Sequence, residues 1–151
     1  MTNALRARAL AFLARRDYSR MALRRKLLPF AEANGFSEEG VDTLLDDLRT
    51  QGLLSDARYA KERARQRGVL YGNARLTAEL GGEGITGDTL SEALQEAGRE
   101  DTRCRAVWQK KFGMQPANMQ EGAKQARFLR GRGFSSASIR AVLRTRETED
   151  V

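Results

Sequence analysis

Gly133-Phe134-Ser135 occurs in three versions along the chain, and this recurrence indicates the architecture. Gly84-Ile85-Thr86 lies 49 residues before it, and Gly35-Phe36-Ser37 lies a further 49 residues before that. The same offset relates apolar residues that follow each stretch: Val41, Leu90 and Ile139; Leu44, Ala93 and Val142; and Leu45, Leu94 and Leu143. Self-similarity at a fixed period is the signature of a repeat architecture. The sequence therefore predicts three copies of one structural unit.

Each unit is predicted to be helical, because apolar residues recur mostly at spacings of three and four. Short polar side chains that can accept hydrogen bonds from first-turn amides mark the predicted helix starts: Ser19, Ser37, Ser55, Asn73, Thr86, Asn118 and Ser135. Glycines suited to the left-handed conformation mark the predicted ends: Gly35, Gly52, Gly72, Gly84 and Gly133. Pro29 should kink or end the helix in which it lies.

The predicted fold class is all-α, with three tandem three-helix repeats of about 49 residues. We place the repeats at residues 4–52, 55–98 and 100–146. A unit of this size hides a small fraction of its surface. The units should therefore pack on one another as an elongated, curved array.

Composition excludes several classes of enzyme. The chain has 151 residues, no histidine and one cysteine, so it cannot assemble a Ser-His-Asp triad, an HExxH zinc site or an internal disulfide. A single cysteine fits a reducing compartment. No phosphate-binding GxxxxGK[ST] loop and no apolar run of about 18 residues occur, and residues 1–16 do not have the pattern of a secretory signal. We expect no cofactor, no bound metal and no membrane partner.

Basic residues outnumber acidic ones by 27 to 20, which gives a net charge of +7. Dense lysine and arginine on helices suit a phosphate backbone. The alternative is an ordinary solvated face, with local pairs such as Arg58 and Glu62. The candidate binding residues are a central group, Arg58, Lys61, Arg65, Arg67 and Arg75, with Arg24, Arg25 and Lys26 before it and Lys124, Arg127 and Arg130 after it.

Three other features of the sequence could carry chemistry. Asp42 and Asp46 stand one helical turn apart and could bind Mg²⁺ in a nuclease, although a solvated helix face explains them better. Cys104 has an arginine on each side, which could lower the pKa of its thiol. Tyr71 lies outside the register of the repeat and next to the basic segment, so it remains a candidate contact residue.

Several stretches resemble the RecX family. They are Ser19 to Leu27; Gly35-Phe36-Ser37 with Val41 to Leu48; Gly52 to Ala60; Tyr71-Gly72 with Arg75, Glu79, Leu80 and Gly84-Ile85; and Phe128 to Ser135 with Ile139. The resemblance spans residues 5–144, and its most specific part is the Gly-Leu-Leu…Asp…Arg-Tyr-Ala segment followed by Arg67.

This resemblance implies a bacterial cytoplasmic protein that modulates the RecA recombinase in DNA repair and recombination. Family members dock in the groove of the RecA–DNA filament, inhibit its ATPase, strand exchange and coprotease functions, and can bind single- and double-stranded DNA. The basic residues named above would then dock against DNA phosphates or acidic groove residues, and we expect a monomer without catalytic activity. The main alternative is an autonomous non-specific DNA-binding protein that competes for DNA.

Overall fold

The computed structural model describes residues 2–144, with side chains described from residue 4 onwards. The last two residues of the third predicted repeat, 145 and 146, therefore lie outside the described residues. Nine α-helices make up the described chain: α1 (Thr2–Arg15), α2 (Arg20–Ala33), α3 (Glu38–Thr50), α4 (Asp56–Gly68), α5 (Asn73–Gly81), α6 (Gly87–Glu96), α7 (Glu100–Lys111), α8 (Met119–Gly131) and α9 (Ser136–Val142).

The helices group in threes, and we call α1–α3, α4–α6 and α7–α9 units 1, 2 and 3. Within each unit every helix packs on the other two, while the extensive helix-to-helix contacts of residues 2–144 do not cross from one unit to another. The predicted fold class, an all-α protein of tandem three-helix repeats, is confirmed. None of the helices in this range is both long enough and apolar enough to cross a bilayer.

Most of the predicted helix signals act as expected. Ser19, Ser37, Ser55, Asn118 and Ser135 each accept a hydrogen bond from a backbone amide of the first turn. The residues that follow the ends of α2, α3, α5 and α8 include glycines in the left-handed region: Gly35, Gly52, Gly84 and Gly133, with φ between +76° and +92°. These positions favour glycine because a Cβ is strained there.

The prediction for Gly72 is wrong. Its φ is −83°, and it precedes α5 as the N-cap in place of Asn73, which is the first helical residue. Glycine is needed there for space, because a Cβ would collide with the carbonyl of Gly133 in unit 3. The Gly72 amide donates to the carbonyl of Arg132 at 2.8 Å, so two backbones meet directly between units 2 and 3.

Pro29 does not end its helix. Helix α2 continues for four residues beyond it, to Ala33. A proline inside a helix removes one backbone donor, which leaves the carbonyl of Arg25 without its partner four residues on. Pro29 is exposed, so water can satisfy that carbonyl.

The units have separate cores of different composition. Unit 1 buries large leucines, among them Leu23, Leu27 and Leu45. Unit 2 buries mainly alanines, with Leu80 and Ile85 beside them, which lets α4 and α6 approach closely. The core of unit 3 is built around Trp108, Leu129, Phe134, Ile139 and Val142. Each fully buried leucine contributes about 2 kcal/mol, so unit 1 has the greatest hydrophobic stabilisation of its own.

Candidate functional site

The central basic group lies on α4 and α5, and most of it is engaged in ion pairs. Arg58 donates to Asp17 at 2.8 Å and to the carbonyls of Gly52 and Leu53. It does not form the expected pair with Glu62, because Glu62 instead accepts from Arg65 at 2.7 Å. These contacts hold Arg58 against the junction between units 1 and 2.

Arg65 and Lys61 face the acidic end of α6. Arg65 pairs with Glu96 at 3.1 Å in addition to Glu62. The hydrogen bond that Arg65 donates to Glu62 is the main reason that the pKa of Arg65 is raised. Lys61 forms no ion pair with residues 4–144, but it lines a shallow concavity with Glu92 and Glu96. The charge of both residues is therefore offset by neighbouring carboxylates.

Arg67 is held by two oxygens of Glu79, at 2.6 and 3.1 Å. This bidentate hydrogen bond raises the pKa of Arg67 and lowers the pKa of Glu79. Arg75 lies 3.6 Å from the same carboxylate. The Glu79 carboxylate is thus shared by Arg67 and Arg75, which leaves a local excess of positive charge.

Tyr71 is the centre of that excess. Its ring centroid lies 4.4 Å from the guanidinium carbon of Arg67, 4.3 Å from that of Arg75 and 5.2 Å from that of Arg132. Cations within about 6 Å of an aromatic ring are attracted by its quadrupole. The structure therefore places Tyr71 under three arginines, two from unit 2 and one from unit 3.

The group before the centre lies on α2 and is also largely paired. Arg24 donates to Asp42 at 2.9 Å, a hydrogen bond that raises the pKa of Arg24. Arg25 reaches Glu83 of unit 2 at 3.0 Å. Lys26 is exposed and forms no ion pair within residues 4–144.

The group after the centre is different. Lys124, Arg127 and Arg130 are exposed on α8, and none of them forms an ion pair with another residue of the described chain. A helix turns about 100° per residue, so these three side chains fall within an arc of about 120°. The residues that α8 buries, Gly122, Gln125 and Leu129, lie on the opposite side. We call this row of three cations the α8 face.

The α8 face has no carboxylate of its own. Glu121 is the only acidic residue of α8, and it lies in the first turn, where it accepts from the amide of Ala117 at 3.2 Å. A carboxylate at that end is favoured by the helix dipole. The remaining charge of the helix is therefore positive and directed to solvent.

The aspartates considered for metal binding are occupied by arginines. Asp42 accepts from Arg24, and Asp46 lies 2.8 Å from Arg20. Residues 4–144 contain no cluster of three or more potential metal ligands. The predicted lowering of the Cys104 pKa is wrong, because burial outweighs the effect of the flanking arginines and raises the pKa of the thiol to about 11.

Sequence reasoning missed the residues that join units 2 and 3. Arg103 is buried and donates to the carbonyls of Gly68 at 3.2 Å and Tyr71 at 2.8 Å, and to the side chain of Asn73. A signal was present, because Arg103 occupies the position that buried Leu5 and Leu54 hold at the repeat offset of 49. A charged residue in a core register indicates a polar contact to another element.

Glu100 completes that junction. It accepts from the amide of Asn73 at 2.8 Å and from the hydroxyls of Ser135 and Ser138 at 2.6 Å each. Burial acts to raise its pKa, but these hydrogen bonds outweigh burial and hold the pKa below its ordinary value. Unit 3, which carries the α8 face, is thereby fixed against unit 2.

Comparisons with known proteins agree with one another. The model of the third three-helix domain of RecX matches residues 99–143. "Regulatory protein RecX" of Ralstonia pickettii is 43% identical over 140 residues, which cover 92% of this chain and 86% of that protein. "Regulatory protein RecX" of Leptothrix cholodnii is 41% identical over 146 residues, covering 96% and 90%.

Two solved structures share the fold. A crystal structure of a regulatory protein RecX has a TM-score of 0.76 at 22% identity and covers 93% of this chain and 72% of its own. The crystal structure of RecX from Lactobacillus salivarius has a TM-score of 0.75 at 16% identity and covers 99% and 97%.

Proposed function

The chain belongs to the RecX family of regulatory proteins, and from this premise we propose that it binds the RecA–DNA filament and inhibits RecA activity. The inhibited reactions would be ATP hydrolysis, strand exchange and the coprotease function. The protein would act by occupying the filament without catalysis, as a monomer in the cytoplasm. Each of the three repeats, 4–52, 55–98 and 100–146, would be one docking unit along the filament.

The observation that carries this proposal is the α8 face. A polyanion binds through cations that can exchange a counterion for a phosphate. A guanidinium already held by a carboxylate at 2.6–2.8 Å, as in Arg67 or Arg58, must first lose that partner. We therefore assign the main phosphate contacts to Lys124, Arg127 and Arg130.

The other candidate residues take lesser parts in the proposal. Lys26 and Arg75 would add further contacts to the polyanion, because Lys26 has no ion pair in the described chain and Arg75 shares its carboxylate with Arg67. Arg25 and Arg58 would hold units 1 and 2 in the orientation that docking needs, because each pairs with a carboxylate of the other unit. The remaining candidates would mainly support the helices within their own unit: Arg24, Lys61, Arg65 and Arg67.

The test is RecA ATP hydrolysis on single-stranded DNA, measured against increasing amounts of the protein. It compares the native chain with an α8 triple variant, Lys124→Ala with Arg127→Ala and Arg130→Ala. A paired triple variant, Arg58→Ala with Arg65→Ala and Arg67→Ala, removes the same charge and is the matched control. We expect hydrolysis to fall at well below one molecule per RecA, and the α8 triple variant to need about ten times more protein.

The alternative, an autonomous DNA-binding protein, predicts a different result. Hydrolysis would then fall only when the protein covers the DNA. At equal salt, affinity for RecA–DNA filaments would exceed affinity for bare DNA by no more than about twofold. Either observation would contradict the proposal while leaving the fold unaffected.

A further inference from the structure

A second surface lies at the junction of units 2 and 3, and it includes the two residues that directly follow α4. Val69 is 67% exposed and Leu70 is 43% exposed, which is unusual for two adjacent bulky apolar residues. They line a groove of about 450 Å³ together with Val107 of α7 and Phe128 of α8. We call it the junction groove. Its volume lies within the range of about 300–1,000 Å³ that is usual for ligand pockets.

The rim of the junction groove is positively charged. Lys110, Lys111 and Arg132 line it, and among residues 4–144 none of the three has an ion-pair partner. No carboxylate belongs to the lining. Apolar walls with an unpaired cationic rim complement a ligand that is apolar at its centre and acidic at its edges.

The walls favour a protein side chain over a nucleotide base. Bases bind by stacking on free aromatic faces or guanidinium planes. The ring of Phe128 is already covered, because Phe112 packs edge-on at 5.5 Å and Lys111 and Arg132 each lie 5.2 Å from its centroid. The guanidinium of Arg132 is itself engaged, because it lies 5.2 Å from the ring centroids of both Phe128 and Tyr71. The walls formed by Val69, Leu70 and Val107 are aliphatic and offer no stacking surface.

Hydrogen bonds between units 2 and 3 fix the shape of the junction groove before a ligand binds. Its two sides belong to different units, and the Gly72 amide joins them by donating to the carbonyl of Arg132 at 2.8 Å. The buried Arg103 adds donors to the carbonyls of Gly68 and Tyr71, on either side of Val69 and Leu70. A preformed site loses less conformational entropy on binding.

We propose that the junction groove binds an acidic protein segment that carries a leucine-sized or phenylalanine-sized side chain. The apolar side chain would enter between Val69, Leu70 and Val107, and carboxylates beside it would pair with Lys110, Lys111 and Arg132. The inference rests on the proposed function, because the segment is assigned to the protein component of the filament rather than to its DNA.

The test replaces the apolar walls without changing charge. A Val69→Ser/Leu70→Ser variant alters two exposed side chains, so its thermal unfolding should match that of the native chain. Met119→Ser is the matched control, because Met119 is 65% exposed on α8 outside the groove. Binding is measured on RecA filaments assembled on single-stranded DNA and on the same bare DNA, both at 0.15 M salt. Val69→Ser alone provides a milder second variant.

We expect the double variant to lose at least tenfold affinity for filaments, the single variant to lose less, and binding to bare DNA to stay within twofold. Equal losses on filaments and bare DNA would place DNA in the groove and overturn the inference. Unchanged filament binding would also overturn it, although the proposed function would stand. If the native chain binds filaments no more tightly than bare DNA, the result contradicts the proposed function, and the inference that rests on it is overturned as well.

Discussion

Helix α4 carries five basic residues and the equally long α8 carries three, yet it is the cations of α8 that all lack carboxylate partners in the described chain. On α4, Arg58, Arg65 and Arg67 donate to carboxylates at 2.6–3.1 Å. On α8, Lys124, Arg127 and Arg130 have no such partner within the described chain. The number of basic residues on a helix therefore does not measure the charge it can offer to a ligand.

The difference follows from what packs beside each helix. Helix α4 lies against α6 and near α5, and the second half of unit 2 supplies Glu79 and Glu96. Helix α8 packs on α7 and α9, and the α7 side chains that contact it include Trp108 and Lys111, which carry no negative charge. In unit 2, the arginines named above are paired with carboxylates of the same unit or of unit 1. In unit 3, the three cations of the α8 face point to solvent.

The largest expected effect comes from the α8 triple variant. Its affinity for single-stranded DNA should fall about 100-fold at 0.1 M salt, because each lost phosphate contact removes about 0.7 from the salt exponent. Its stability should stay within about 0.5 kcal/mol of the native value, since no ion pair is broken. Fluorescence anisotropy and thermal unfolding measure the two quantities.

The paired triple variant should show the reverse pattern. Its free energy of unfolding should fall by about 2 kcal/mol, because it removes surface ion pairs, one bidentate pair and the bonds from Arg58 to two carbonyls. Its affinity for DNA should fall less than about fivefold. Urea unfolding and the same anisotropy assay test it, and a large loss of affinity without a loss of stability would break the comparison.

Glu79→Gln converts a paired arginine into a free one. Because Arg67 loses its bidentate partner, it becomes available to a phosphate, and affinity for single-stranded DNA should rise about fivefold at 0.1 M salt. Thr77→Gln, at an exposed position of the same helix, controls for a glutamine on that surface. Unaltered or weaker binding by Glu79→Gln would show that Arg67 contacts no polyanion even when freed.

The smallest expected effect is on how the stability of the fold depends on pH. The hydrogen bond from Arg67 lowers the pKa of Glu79 in the folded state, so the pair stabilises the fold above the unfolded pKa of about 4.3. This stability is lost as the pH falls through the lower folded pKa. The stability difference between the native chain and Glu79→Gln should therefore shrink below about pH 4, measured by urea unfolding. A constant difference between pH 7 and pH 3 would contradict the assignment.

The sequence predicted the helical repeats because their signals are local. Serine caps and glycines such as Gly35 and Gly133 act within one helix end, and the offset of 49 repeats them. The role of Gly72 could not be predicted in the same way, since it depends on the carbonyl of Gly133, 61 residues further along the chain. Contacts between units are set by packing and leave little periodic trace.

The sequence shows where the basic residues of the candidate site lie along the chain but not which of them are paired. Arg25 pairs with Glu83 and Arg58 pairs with Asp17, which are 58 and 41 residues away in the sequence. Such partners are visible only after folding. The junction groove was not predicted, because no pattern in the sequence shows that Val69 and Leu70 remain exposed after folding. Their adjacency to Tyr71, which lies outside the repeat register, was a usable signal.

The central claim is that unpaired charge on α8, rather than the total charge of the chain, carries polyanion binding. The most direct measurement is the salt dependence of binding to single-stranded DNA for the native chain, the α8 triple variant and the paired triple variant. We predict that the slope of log affinity against log salt becomes shallower by about 2 for the α8 triple variant and changes by less than about 0.5 for the paired triple variant. A slope that falls by about 2 for the paired variant, with the α8 variant unchanged, would contradict the account.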